Sequence, residues 1–325
     1  MQATPRATTR RDAIAALGSR GKPHRNTGDL AFSSVLLIMA AAIPLLAILL
    51  GIEMLQEGLP ALAEFGLAFI ATSTWNPVSQ QFGVLPAIFG TVATSAIGAI
   101  LAVPIGLGAA VLLAELAPRW LAQPVSFLIE MLAAIPSVII GLWGLFVVVP
   151  VVRQIESILG SSLGFIPLFS GPAFGIGLLS ASVLLAVMIL PIITAVTRDV
   201  LRAVPASQRE AMLALGATRW ETISRAVLPY GRSGVVGACI LALGRALGET
   251  LAVSLVIGNA FKISGSVFSP ATTLASLIAT QFREADTPLY LSALMAAGLV
   301  LFAITIVVNV AARVLIWRLG SQARA

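Results

Sequence analysis

Two charged residues stand four positions apart inside a string that is otherwise apolar: residues 234–259 read GVVGACILALGRALGETLAVSLVIGN and carry Arg245 and Glu249. On a continuous helix, residues at that spacing share a face one turn apart. Arg245 lies about 11 residues into the string, roughly 16 Å at about 1.5 Å per residue, which is close to the middle of a bilayer. A charge at a helix centre costs at least about 2.5 kcal/mol, so a packing or functional reason is expected. Two readings stand side by side. Either the two groups neutralise each other or tie to a neighbouring helix, or they form a charged station on a polar path. For the second, the chemistry is specific. Arginine offers forked donors to a tetrahedral oxyanion. Glutamate repels a fully deprotonated oxyanion such as sulfate, yet accepts a hydrogen bond from the P–OH that phosphate keeps near neutral pH. Gly244 and Gly248 flank the arginine at a spacing that lets another helix approach.

A second stretch, VPASQREAMLALGATRWETISRAVLPYGR from Val204, is polar enough to leave the membrane. It contains two Ser/Thr-x-x-Glu patterns, Ser207 with Glu210 and Thr218 with Glu221, each the spacing of a capping box at a helix start. Gly216 stands where the first helix should stop, and Pro229 where the second should. The expected product is a helix, a glycine turn and a second helix, a shape suited to docking in another protein's groove.

The elements that must position these residues follow from composition. Of 325 residues, 58% are hydrophobic and 10% charged, where a soluble domain carries about 25% charged residues. Mean hydropathy is +1.00. Apolar runs long enough to cross about 30 Å of hydrocarbon fall at 30–52, 86–114, 125–151, 175–197, 234–258 and 289–316. A soluble enzyme, a disulfide scaffold and a DNA-binding module are excluded on these grounds. The one cysteine, Cys239, lies in an apolar run, and the one histidine, His24, in a polar tail, so neither a catalytic histidine nor a metal cluster is expected inside the membrane.

Basic residues sort by side. Arg6, Arg10, Arg11, Arg20, Lys22 and Arg25 precede the first run, Arg119 follows the second, Arg198, Arg202, Arg209, Arg219, Arg225 and Arg232 follow the fourth, and Arg313, Arg318 and Arg324 follow or end the sixth. Only Arg153, Lys262 and Arg283 fall on the other side, so the positive-inside rule puts both termini in the cytoplasm. The net charge of +6 is thereby a topology signal rather than a sign of nucleic acid. The first run is too long and too far from Arg10-Arg11 for a cleaved export signal and reads as an uncleaved helix. Between 53 and 85, an interfacial helix over 62–70 is expected, ending at Thr74-Trp75-Asn76-Pro77 with the tryptophan at headgroup level. Glu130 is expected inside the third span, snorkelling or pairing, and Pro104, Pro136 and Pro191 are expected to bend spans.

The polar loop resembles the EAA loop of ABC-importer permeases, whose pattern is Glu-Ala-Ala, Gly at the seventh place, an aliphatic residue at the seventeenth, and Leu-Pro at the nineteenth and twentieth. Counted from Glu210, the matches are Glu210, Ala211, Gly216, Leu228 and Pro229, with departures at Met212 and Ala226. From 85 to 317 the chain also resembles the PstC family, the permease subunits of high-affinity phosphate ABC importers. Trp75-Asn76-Pro77, Gly216-Ala217-Thr218-Arg219-Trp220-Glu221 and Leu243-Gly244-Arg245-Ala246-Leu247-Gly248-Glu249-Thr250 carry that likeness. The resemblance implies phosphate passage at Arg245 and Glu249, docking of an ATPase at the loop, a second related permease as heterodimer partner, two copies of the ATPase and an external phosphate-binding protein. No Gly-x-x-x-x-Gly-Lys-Ser/Thr loop occurs, so ATP hydrolysis belongs to a partner.

The expectation is an all-α integral membrane protein of the bacterial inner membrane with the type I ABC importer permease fold, six spans and cytoplasmic termini. Its parts are a disordered tail at 1–29, the first helix and external segment at 30–84, the permease domain at 85–317 with a coupling loop at 198–232, and a tail at 318–325. It needs no cofactor, metal or catalytic residue. The rival readings are a permease for another oxyanion such as sulfate or molybdate, or a stand-alone proton-coupled carrier using Arg245 and Glu249 as a relay.

Overall fold

The computed structural model describes residues 27–321. The tail expected at 1–29 lies outside them as far as residue 26, and the one at 318–325 from residue 322 onward. The contacts divide the chain into two units, one ending at Glu53 and the other beginning at Met54. The first unit contributes the opening turns of helix α1 (Thr27–Phe65), whose apolar side chains, among them Leu37, Ile38 and Ile43, are exposed. Such a surface is suited to hydrocarbon.

In the second unit α1 continues well past the expected end at 52. Acidic Glu53, Glu57 and Glu64 do not stop it; Gly66, at φ +53°, follows its last residue. The interfacial helix expected over 62–70 is therefore replaced by the end of α1 and a single turn, α2 (Ala68–Ala71). A two-stranded antiparallel hairpin follows, β1 (Trp75–Asn76) and β2 (Gln81–Phe82), the only strands among the described residues. Trp75 belongs to an aromatic cluster: its ring packs on Phe82 (centroids 4.9 Å), Phe261 (5.6 Å) and Tyr290 (6.0 Å). Four aromatic rings in contact hold the hairpin to the segments around Phe261 and Tyr290.

The rest of the unit is helical: α3 (Leu85–Val111), α4 (Arg119–Ala133), α5 (Ser137–Trp143), α6 (Val149–Leu163), α7 (Leu178–Arg202), α8 (Ala206–Ala214), α9 (Arg219–Thr222), α10 (Leu228–Leu247), α11 (Leu251–Val256), α12 (Leu274–Gln281) and α13 (Pro288–Ser321). Six stretches among the described residues are long and apolar enough to cross a membrane: Leu30–Phe65, Leu85–Leu116, Ser137–Leu163, Leu178–Arg202, Arg219–Leu247 and Pro288–Val314.

The centre is α3 against α7. Their axes come close because α3 places glycine where α7 is bulky: a Cβ at Gly106 would stand 2.9 Å from Ile193 Cγ2, and one at Gly98 3.2 Å from Leu185 Cβ. Leu184, Leu185, Ile189 and Ile193 are fully buried there.

Prolines explain where the spans differ from expectation. π-helical turns at Leu112–Leu116, Gly144–Val148 and Ile223–Val227 each end two residues before a proline, namely Pro118, Pro150 and Pro229. In each the residue before the proline donates its N–H five residues back: Ala117 to Leu112, Val149 to Gly144 and Leu228 to Ile223. A proline has no N–H to give, and its ring crowds the carbonyl four residues earlier. A widened turn just before it relieves that clash. Pro229 thus does not end the second loop helix as expected; one helical rod runs from Arg219 to Leu247. Pro136, expected to bend the third span, instead starts it as the residue preceding α5, while α4 stands apart from that span. Pro104 and Pro191 lie inside α3 and α7.

Candidate functional site

The fifth span is broken at its charged pair. α10 ends at Leu247, residues 248–250 are non-helical, and α11 begins at Leu251. The local chemistry of Gly248-Glu249-Thr250 accounts for the break. Glycine is a weak helix former. The Glu249 carboxylate accepts the N–H of Ala252 at 3.3 Å, so it caps the new helix, and Thr250 Oγ1 donates to Gly248 O at 3.1 Å. Arg245 and Glu249 therefore do not lie on one continuous helix face, and no ion pair joins them among the described residues. The self-neutralising pair weighed from sequence is not what forms.

Arg245 occupies the last turn of α10, where a cation interacts favourably with the carbonyl end of the helix. Its side chain is exposed, as are Leu241 and Gly248 beside it, while Glu249 is half-buried. Glu249 Oε1 is engaged by the cap, and Oε2 makes no bond among the described residues. An uncovered guanidinium at the inner end of a membrane-length helix calls for water or another protein chain against it. Broken helices near the bilayer midplane recur in transporters where polar backbone and side chains line a cavity. Gly244 faces α13: a Cβ there would stand 3.9 Å from Asn309 Oδ1.

The polar loop is built differently. Its first helix, α8, starts after Pro205 without any side-chain cap, so the Ser207–Glu210 box expected from sequence is not made. Proline at the cap position already presets an extended entry, and Ser207 falls two places too late to cap. Gly216, at φ +83°, closes α8: its N–H donates to Leu213 O at 3.0 Å and that of Ala217 to Met212 O at 3.1 Å, the paired bonds of a Schellman turn. The second box forms as expected. Glu221 N donates to Thr218 Oγ1 at 3.3 Å, and Thr218 N to Glu221 Oε2 at 2.8 Å. Glu210, Ala211 and Gly216 are exposed on the loop with Leu213, Leu215 and Trp220, an apolar and acidic surface without cover in this chain. Leu228 packs on the buried cluster of Val111, Leu201, Val204, Ile223 and Val227, and Pro229 is exposed.

Arg209 ties this loop to two spans, a role that the sequence did not single out. Its guanidinium donates to Glu115 at 2.6 and 3.2 Å, to Leu201 O at 2.8 Å and to Val204 O at 2.5 Å. Glu115 lies in the π turn that ends the second span, so the loop helix, the end of that span and the last carbonyls of α7 share one arginine. Nearby, Arg202 donates to Leu113 O at 3.1 Å, and Arg198 to Glu130 and Asp199 at 2.9 and 2.8 Å. Glu130 is thus paired, on α4 rather than within the third span. The signal available in the sequence was an acidic residue, Glu115, at the arginine-rich end of a span. Glu156 also escaped notice: it is fully buried on α6, its Oε2 accepts from Gly175 N at 2.8 Å, and its Oε1 has no partner among the described residues.

Residues 102–320 match the family described as "Binding-protein-dependent transport system inner membrane component". A Mesorhizobium japonicum protein named phosphate transport system permease protein PstC is 47% identical over 290 residues, covering 87% of this chain and 89% of the relative. A Pasteurella multocida protein of the same name is 51% identical over 263 residues, covering 79% and 82%. Among solved structures, a chain of the MetNI methionine ABC transporter in inward-facing conformations matches with a TM-score of 0.56 at 20% identity, covering 73% of this chain and 95% of that one, a likeness of fold. With its six membrane-length helices, the chain is an integral inner membrane protein of the binding-protein-dependent transport family and, within it, belongs to the PstC permeases.

Proposed function

We propose that this chain is the permease subunit through which an ABC importer moves inorganic phosphate inward, with both termini in the cytoplasm. The observation that carries the reading is Arg245 at the break in the fifth span, without an ion-pair partner among the described residues and with Glu249 beside it. Arg245 supplies forked, charge-assisted donors to two phosphate oxygens. Glu249 Oε2 accepts the P–OH proton of a phosphate that still carries one, and its charge turns away an anion that carries none. The exposed face of Leu241, Arg245 and Gly248 is completed by a second, homologous permease, so that the solute path runs between the two chains. An external phosphate-binding protein delivers the solute.

Two copies of a cytoplasmic ATPase drive the cycle, one of them docked on this chain at the loop that carries Glu210, Ala211 and Gly216, within a coupling segment at 198–232. Nothing in the chain hydrolyses ATP. Two connections carry the stroke inward. Through Arg209, motion of α8 pulls Glu115 at the end of the second span and the last turns of α7. Through Leu228 and Pro229, the second loop helix is the base of the rod Arg219–Leu247, 29 residues or roughly 43 Å long. Tilting its base therefore moves Arg245 at its tip.

The test is ATP-driven uptake of labelled phosphate, sulfate and molybdate by the complex reconstituted with its partners, with and without Arg245→Leu. The expected result is phosphate uptake that depends on ATP and is lost in the variant. Unchanged uptake by the variant removes Arg245 from the path; uptake without the ATPase, driven by a pH gradient, supports a stand-alone carrier instead.

A further inference from the structure

Between Arg245 and the loop end of the molecule, a groove of about 460 Å³ opens between α10 and α13, lined by Gly237, Ile240, Leu241, Asn309, Val310 and Arg313. The two helices run in opposite directions, and their register follows from two facts. Gly244 stands beside Asn309, and Gly237 and Ile240 share the groove with Arg313. Arg313 thus lies one helical turn, about 6 Å, nearer the loop than Asn309, and roughly 7 to 8 Å along the axes from Arg245. Two arginine side chains bridge that separation without a gap, since each reaches about as far as one helical turn rises.

The lining is chemically uneven. Ile240, Leu241 and Val310 make apolar walls, no acidic side chain lines the groove, and Arg313 is exposed at its lower end. Asn309 donates through Nδ2 to Thr305 O at 2.8 Å, which leaves Oδ1 free to accept. Glycine at 237 and 244 keeps the α10 wall bare. One cation, one free carbonyl oxygen and apolar sides match what Arg245 and Glu249 offer above: donors for a tetrahedral oxyanion and an acceptor for its remaining proton.

We propose that this groove is a second phosphate station, at which Arg313 takes the anion from Arg245 and Asn309 Oδ1 accepts its P–OH before release at the loop end. The proposal rests on the permease reading above and adds to it the side of the path by which phosphate leaves. The neutral amide beside Arg313, where the upper station has a carboxylate, makes this station less strict: it holds sulfate as well as phosphate.

The experiment uses the assembled complex in nanodiscs of neutral lipid, with Cys239→Ala and Leu241→Cys, and follows reaction of the new thiol with a negatively charged thiosulfonate. The expected result is ready labelling that inorganic phosphate slows severalfold, with sulfate slowing it comparably. Arg313→Gln removes this protection and Arg313→Lys retains most of it. A thiol that never reacts means that no water enters the groove, and overturns the proposal. So does labelling that phosphate does not slow, or protection that follows added phosphatidylglycerol rather than free phosphate, which identifies a lipid headgroup at Arg313. Uptake measured on the same complex separates the two levels: phosphate import with an unprotected thiol refutes the station alone, whereas absence of phosphate import refutes the permease reading with it.

Discussion

The loop end and the break in the fifth span use the same residue types in opposite ways. At the loop end arginines and acids are joined to one another: Arg209 to Glu115, Arg198 to Glu130 and Asp199, and Thr218 to Glu221 through a complete capping box. At the break, Arg245 and Glu249 stand close in sequence and remain unjoined, one exposed and the other engaged through a single oxygen. Joined charges hold elements in register and transmit displacement. Unjoined charges in a low-dielectric setting retain their full capacity for a ligand. On the function proposed above, the contrast separates the part of the chain that moves from the part that binds.

Breaking it at the binding end gives the largest effect. Arg245→Leu removes the charge-assisted donor of the proposed upper station, a loss of about 3 kcal/mol and so of the order of a hundredfold in phosphate uptake. ATP hydrolysis by the complex should persist, because the loop is untouched; a parallel fall in hydrolysis would place Arg245 in the coupling path instead. At the transmitting end, Arg209→Ala leaves Glu115, only 11% exposed, without its partner, at a cost of about 2 kcal/mol for a partly screened pair. Here hydrolysis should continue while transport falls about tenfold, so that more ATP is consumed per phosphate moved. Restoring the balance with Arg209→Ala and Glu115→Ala together should recover stability more than coupling, which a thermal melt and the ATP-to-phosphate ratio read separately.

How far each region was legible in the sequence follows the same division. Spans were visible because runs of apolar residues have few alternatives in lipid, and the Thr218 box and Gly216 turn because both are local patterns. The Arg209 clamp was not visible, since its partners lie 94 residues back and on backbone carbonyls that no side-chain pattern marks. The ends of the third and fifth spans were misplaced for a different reason. Hydropathy does not register hydrogen-bond geometry: Pro136 starts a helix, Pro229 sits after a π turn inside one, and the Gly248-Glu249-Thr250 break lies within an apolar run. The arginine and glutamate stand out in the sequence as charges in an apolar run, but their spacing implied a shared helix face that the break removes.

Glu249→Gln sharpens the division inside the binding end. The amide oxygen still accepts from Ala252 N, so the break and the cap remain, while the negative charge is gone. Loss of one like-charge repulsion should raise sulfate uptake relative to phosphate by about tenfold, about 1.4 kcal/mol, with a smaller fall in phosphate uptake itself. A ratio that does not change would assign discrimination to the external binding protein and reduce Glu249 to a helix cap.

The smallest expected effect is at the transmitting end, where Gly216→Ala tests whether the loop's shape alone matters. A Cβ at this position meets nothing within 4 Å, so no contact is lost or crowded. What remains is conformational: φ is +83°, a region that disfavours a Cβ by about 1 kcal/mol. If the angle between α8 and the rod that begins at Arg219 sets the fit to the ATPase, this small strain should lower stimulated hydrolysis and phosphate uptake together, by about fivefold, without changing the ATP-to-phosphate ratio. That pattern is the opposite of the Arg209 variant, in which the ratio rises. Should Gly216→Ala raise the ratio as well, the turn would belong to the joint that transmits the stroke rather than to the surface that receives it.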